Sequence, residues 1–144
     1  MYDPNCAFAC RDIFSSAMLT CSGHDHASGA HSHGQGATSP ECYASDTPWL
    51  TTLANCINKT CTDIAPWKLE KYWSERVTGR FTGVEPKWTY QKTLAQMNGT
   101  EPSKQLEDDE MLDFTANFNE KTWESTRGAL EHFENAERTH SRYG

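Results

Sequence analysis

The fold class this sequence predicts is mainly α: a small, disulfide-stapled helical domain, residues 1–144, with a long C-terminal helix and long loops. Three observations predict it. Leu, Ile, Val and Phe supply only 19 of 144 residues, below the roughly 20% under which a charged chain cannot bury enough apolar surface to fold unaided. Six cysteines and ten Trp and Tyr residues offer what the aliphatic residues do not, since a cross-link stabilises by about 2–4 kcal/mol and large rings bury the most area per residue. Apolar residues then recur at helical spacing between proline starts and glycine stops.

Taking the elements in order, Cys6, Cys10 and Cys21 fall at about 0°, 40° and 60° on a helical wheel, with Phe14 and Ala17 on the same face. That predicts one helix from about Asn5 to Cys21. A His- and Gly-rich loop over 22–40 follows, running on to residue 46. After Thr47-Pro48, the residues Leu50, Leu53, Ala54, Cys56 and Ile57 mark a second helix, with Thr47 as its N-cap and Pro48 in its first turn. Cys61 lies five residues beyond Cys56, about 140° round, and is expected just past the helix end. Pro66–Gly79 and Pro86–Gly99 each read as a short helix, with Trp67, Leu69, Tyr72, Trp73 and Val77 as core candidates. Residues 99–113 are acidic and unpatterned, a loop or a marginal helix. From Glu120 to Tyr143 no proline intervenes, and Trp123, Leu130 and Phe133 form one stripe of a long helix.

The cysteine spacing fits no zinc ribbon or finger and contains no Cys-x-x-Cys. Two antiparallel helices bearing Cys6 and Cys10 on one and Cys56 and Cys61 on the other would join Cys10 to Cys56 and Cys6 to Cys61. Cys21 would then pair with Cys42 across the loop. Of the fifteen connectivities six cysteines allow, this nested one is expected. The sequons Asn58-Lys59-Thr60 and Asn98-Gly99-Thr100 point to the same oxidising, secretory compartment and are expected N-glycosylation sites. No basic-then-apolar leader follows Met1, so an exported chain is expected to have shed its signal peptide. No apolar run reaches membrane-spanning length.

Charge divides unevenly along the chain. Net charge is −7, yet residues 66–100 carry +3 while residues 101–144 carry −6. An acidic C-terminal third speaks against nucleic acid as a partner. Enzymatic chemistry finds no candidate catalytic residues. The run Glu107, Asp108, Asp109, Glu110 reads as solvated, because paired carboxylates need burial to separate their pKa values. His132 and His140 are eight apart, not the i, i+4 pair of a zinc hydrolase, and oxidised cysteines are no nucleophiles.

The stretch GHDHASGAHSHG at 23–34 does carry chemistry, with His24, His26, His31 and His33 as two His-x-His pairs. Neutral imidazoles suit Cu(II) and Zn(II), and a Gly/Ala/Ser spacer lets four nitrogens converge on one ion. Such binding should weaken as pH falls through the imidazole pKa near ~6.5. A polar insertion tolerated in a surface loop would look the same.

The segments CAFACRDIFSSAMLTC, SPECYASDTPWLTTLANCI, PWKLEKYW, PKWTYQKTLA and ERTHSRYG, in that order, resemble the extracellular N-terminal region of fungal ferric/cupric-chelate reductases over nearly the whole chain. The resemblance implies a parent protein whose membrane domain, with two b-type haems, passes electrons from cytosolic NADPH and FAD to extracellular metal chelates. It implies a place on the extracellular face of the plasma membrane, with that membrane domain and metal chelates as partners, and a polar helix 120–143 leading to the first membrane span. Neither haem-ligating membrane histidines nor nucleotide-binding glycine motifs occur in this sequence, so no catalytic position transfers to it. The histidine-rich insert departs from the family pattern. The alternative is a free-standing secreted, cysteine-rich metal-binding protein.

Overall fold

The computed structural model describes residues 3–23 and 37–143, with side chains through residue 133. Eight elements follow in order: α1 (Asn5–Ile13), β1 (Met18–Leu19), α2 (Pro40–Ser45), α3 (Thr47–Thr60), α4 (Pro66–Arg76), α5 (Tyr90–Gln96), β2 (Met111–Leu112) and α6 (Glu120–Tyr143). The fold is mainly helical, and three disulfides staple it.

Helix α3 is the axis. Trp49, Leu50, Leu53, Ala54, Cys56 and Ile57 are buried, and so are the polar Thr51, Thr52 and Asn55, so from Trp49 to Ile57 the helix is enclosed on all sides rather than amphipathic. Its hydroxyls are occupied: Thr52 Oγ1 accepts the Ala116 N–H at 2.9 Å and Thr51 shares a 2.7 Å bond with Thr115. Helix α1 lies against it through Cys6, Ala7 and Cys10. Helix α6 covers α1, where Trp123 Nε1 donates to the Cys6 carbonyl at 3.2 Å. Cys6–Cys61 and Cys10–Cys56 bridge α1 to α3, and Cys21–Cys42 joins the turn after β1 to α2. This is the nested pairing that two antiparallel helices require.

Several sequence expectations are corrected. The first helix stops at Ile13, not Cys21: Phe14 turns inward to the core, Ser15 Oγ donates to the Asp12 carbonyl, and Met18–Leu19 pair in parallel with Met111–Leu112. Leu19 and Leu112 are both fully buried there; the burial and the strand pairing outweigh the helical periodicity. Cys21 reaches Cys42 from that turn, not from the face of α1. Helix α2 interrupts the loop that the sequence suggested up to residue 46; Ser39 caps it by accepting the Cys42 N–H, with Pro40 in its first turn. Asp46, not Thr47, caps α3, accepting the Trp49 N–H at 2.9 Å, while the Thr47 hydroxyl takes Lys87 Nζ. Cys61 stands at the C-cap of α3, just past the last helical residue.

Helix α4 ends at Arg76, short of Gly79, because the Val77 carbonyl accepts both Arg11 Nε and Trp49 Nε1. Helix α5 begins at Tyr90, not Pro86, since residues 87 and 88 make tertiary backbone bonds: Lys87 N–H to the Ala44 carbonyl and Trp73 Nε1 to the Trp88 carbonyl. Glu70 of α4 then takes the free N–H groups of Tyr90 and Gln91 at 3.0 and 3.1 Å, and Thr89 takes that of Lys92. One carboxylate thus supplies an external cap to a seven-residue helix. The acidic stretch 99–113 is irregular apart from β2 and a single parallel bridge from Gln105 to Asn117. Trp67, a core candidate, is exposed, and Phe133 leaves the stripe of α6 for solvent.

Candidate functional site

The segment carrying His24, His26, His31 and His33 lies outside the described residues, but both of its ends are described. The Gly23 N–H donates to the Ala37 carbonyl at 3.1 Å, the Ser22 and Thr38 hydroxyls are hydrogen-bonded, and Cys21 is bonded to Cys42. Gly23, at φ 81°, adopts a backbone conformation that glycine alone enters freely. These contacts bring residues 23 and 37 together into a neck. Closing the ends in advance removes part of the entropy cost of gathering ligands from one chain. Sequence reasoning found the histidines and the disulfide; it missed α2, which brings Cys42 to the neck.

Among the described residues no group of three His, Cys, Asp or Glu side chains is placed to hold a metal ion, and all six cysteines are disulfide-bonded. Glu107, Asp108 and Asp109 are exposed on the rim of a groove of about 890 Å³ between the 13–18 turn and the N-terminus of α6. Glu110 is engaged: Lys104 Nζ bonds it at 2.6 Å and the Glu107 N–H donates to it at 3.0 Å, which together draw its carboxyl below the usual range. His132 is exposed on α6, and the His140 side chain lies outside the described set.

Asn58 and Asn98 are both exposed, Asn58 on the last turn of α3 and Asn98 at φ 52° beyond α5. Lys59 bonds both carboxylate oxygens of Glu101, at 2.7 and 2.8 Å, so the two sequons share one region of surface.

A second surface was not legible in the sequence. Along the outer side of α4, Trp67, Lys68, Lys71 and Arg76 border a groove of about 270 Å³ whose far wall is Pro4 and Phe8. Glu75 and Arg76 are shared with a neighbouring groove of about 400 Å³ under Phe81. Tyr72 closes the floor of the first; its ring meets Phe8 edge-on at 5.0 Å, its hydroxyl is buried without a hydrogen-bond partner among the described residues, and that burial raises its pKa.

Compared with known protein families, characterised proteins and solved structures, the chain matches none. Three disulfides fit an extracellular or secreted location, and no helix among the described residues is long and apolar enough to cross a membrane.

Proposed function

We propose that this chain is the extracellular domain of a transmembrane metalloreductase that reduces ferric and cupric chelates for iron and copper uptake. In this reading it is an accessory module that shields the electron-delivering face or holds metal near it. The observation that carries the reading is the cross-linked framework itself. The segments on which the resemblance rests build α1 with β1, α2 with α3, α4, α5 and the end of α6, and Cys10–Cys56 and Cys21–Cys42 join the first two of them into one cross-linked unit. The chemistry that resemblance implies, with haem b, FAD and NADPH, would belong to other parts of the polypeptide. N-glycans on Asn58 and Asn98 belong to the same proposal. Cells expressing the complete reading frame are expected to reduce ferric and cupric chelates at their surface faster than cells lacking it. Equal rates would sink the reading.

A second reading, a secreted metal-binding protein, is favoured by one observation: the neck that closes the histidine-bearing segment. Titrating Cu(II) and Zn(II) into the wild-type chain and into a variant with His24, His26, His31 and His33 all changed to Ala tests it. Loss of binding in the variant, and weaker wild-type binding as pH falls through ~6.5, are the expected results. Equal affinities would remove these histidines as ligands.

A further inference from the structure

We propose that the outer face of α4 and the turn over residues 78–85 form a membrane-apposed surface, with Trp67 and Phe81 entering the headgroup layer and Lys68, Lys71, Arg76 and Arg80 meeting lipid phosphates. It rests on the membrane-adjacent reading above for its biological setting, not for its physical basis.

Four observations converge on this face. First, two of the largest apolar side chains of the molecule sit on it in solvent: Trp67 is 63% exposed and Phe81 80% exposed. Second, Phe81 is held at φ 56°, a left-handed conformation that a bulky side chain enters only with strain. A buried contact does not account for that strain, because the ring is outside the core. Third, the ring stands between two guanidinium groups, Arg76 at 5.1 Å and Arg80 at 5.0 Å, and neither arginine has a carboxylate partner among the described residues. Lys68 and Lys71 have only exposed partners, Asp3 at 3.7 Å and Glu75 at 3.1 Å, pairs that water and salt weaken readily. Fourth, this region lies within residues 66–100, which carry a net +3 in a chain of −7.

Exposed Trp and Phe flanked by Lys and Arg is the composition that suits a bilayer interface. The rings take the headgroup level, while the cations reach phosphate and any anionic lipid. Neither sequon asparagine lines this surface, so glycans on Asn58 and Asn98 would not begin on it.

The test is co-sedimentation of the 144-residue chain with vesicles of phosphatidylcholine alone and of equal parts phosphatidylcholine and phosphatidylserine. Binding is expected to the mixed vesicles, and to fall about tenfold or more in Trp67→Ala combined with Phe81→Asn. Asn tolerates the left-handed conformation, so Phe81→Asn alone should weaken binding while leaving the thermal midpoint unchanged or raised. Arg80→Glu should weaken binding to the mixed vesicles more than to the neutral ones. Unchanged binding in the double variant, a lowered midpoint in Phe81→Asn, or abolition of binding by free inorganic phosphate would each overturn the proposal. Vesicle binding by a chain whose parent fails the cellular reductase assay would defeat the earlier reading and leave this one standing; the converse result would do the opposite.

Discussion

Residues 6–61 and residues 62–143 are held by different means. In the first region every cysteine of the chain is cross-linked, and the two long bonds tie α1 to α3 within two turns of each other. The second region has no cysteine. It is held by indole and tyrosine rings and by side chains that finish the ends of short helices: Trp73 against Tyr90 at 5.6 Å, Trp73 Nε1 to the Trp88 carbonyl at 2.8 Å, and Glu70 across the start of α5. Few aliphatic residues leave a chain two ways to become stable, covalent closure or a small number of large, hydrogen-bonded rings. This molecule uses one in each region, joined by Trp49 and Arg11 at the Val77 carbonyl and Trp123 at the Cys6 carbonyl.

The largest expected effect comes from breaking the covalent region. The Cys6–Cys61 and Cys10–Cys56 bonds span 55 and 46 residues, so the first of them to form is worth about 4 kcal/mol in the chain-entropy account. With one in place, the other closes only the short path through Cys6–Cys10 and Cys56–Cys61 and adds about 2–3 kcal/mol. Replacing either pair with Ala should therefore cost about 2–3 kcal/mol, and replacing both about 6–7 kcal/mol, comparable to a domain's whole stability. Urea denaturation of the three variants checks this; strictly additive single losses would contradict the nested account.

Breaking the second region at Trp73 is the next largest effect. Trp73 is 1% exposed, and Trp73→Ala is expected to cost about 3–5 kcal/mol. Trp73→Phe keeps most of the ring but leaves the Trp88 carbonyl without its donor, at about 1–2 kcal/mol. With all disulfides intact, hydrogen exchange in Trp73→Ala should rise in α4 and α5 before α1 and α3. Uniform loss of protection would show that the two regions unfold as one.

The smallest and sharpest effect lies at Asp46, the cap of α3. Burial raises its pKa above the ordinary 3.8, against opposing pulls from the Trp49 N–H, the Thr20 hydroxyl and Lys87. A carboxyl whose folded pKa is raised contributes most below that ordinary value, and the contribution is lost as pH rises through the raised one. Asn caps as well as Asp and does not ionise. Asp46→Asn is therefore expected to be as stable as wild type or slightly more so at neutral pH, with a flatter pH profile, whereas Asp46→Ala should lose about 1 kcal/mol. Thermal melts between acid and neutral pH separate the three. A less stable Asp46→Asn at neutral pH would show that the ionised cap is favourable after all.

Local chemistry alone fixed the class of this fold: too few aliphatic residues for an unaided core, six cysteines at spacings that suit facing helices, and proline and glycine punctuation around the helical stretches 66–79 and 86–99. The nested cysteine pairing expected from two facing antiparallel helices, one of the fifteen open to six cysteines, is the one present. The spacing of His24, His26, His31 and His33 makes them expected ligands, and their triplets make Asn58 and Asn98 expected glycan acceptors; the four histidines lie outside the described residues, while both asparagines are exposed. Tertiary structure decided the rest, always where a distant partner outweighed a local preference. The end of α1 depends on strand pairing with residues 111–112, more than ninety positions away, the start of α5 on Glu70 and Trp73, and the neck on α2. The exposure of Trp67 and Phe81 was equally beyond sequence reading. Helical periodicity says which residues share a face, but only the packing of α1 and α5 against α4 determines which face water keeps.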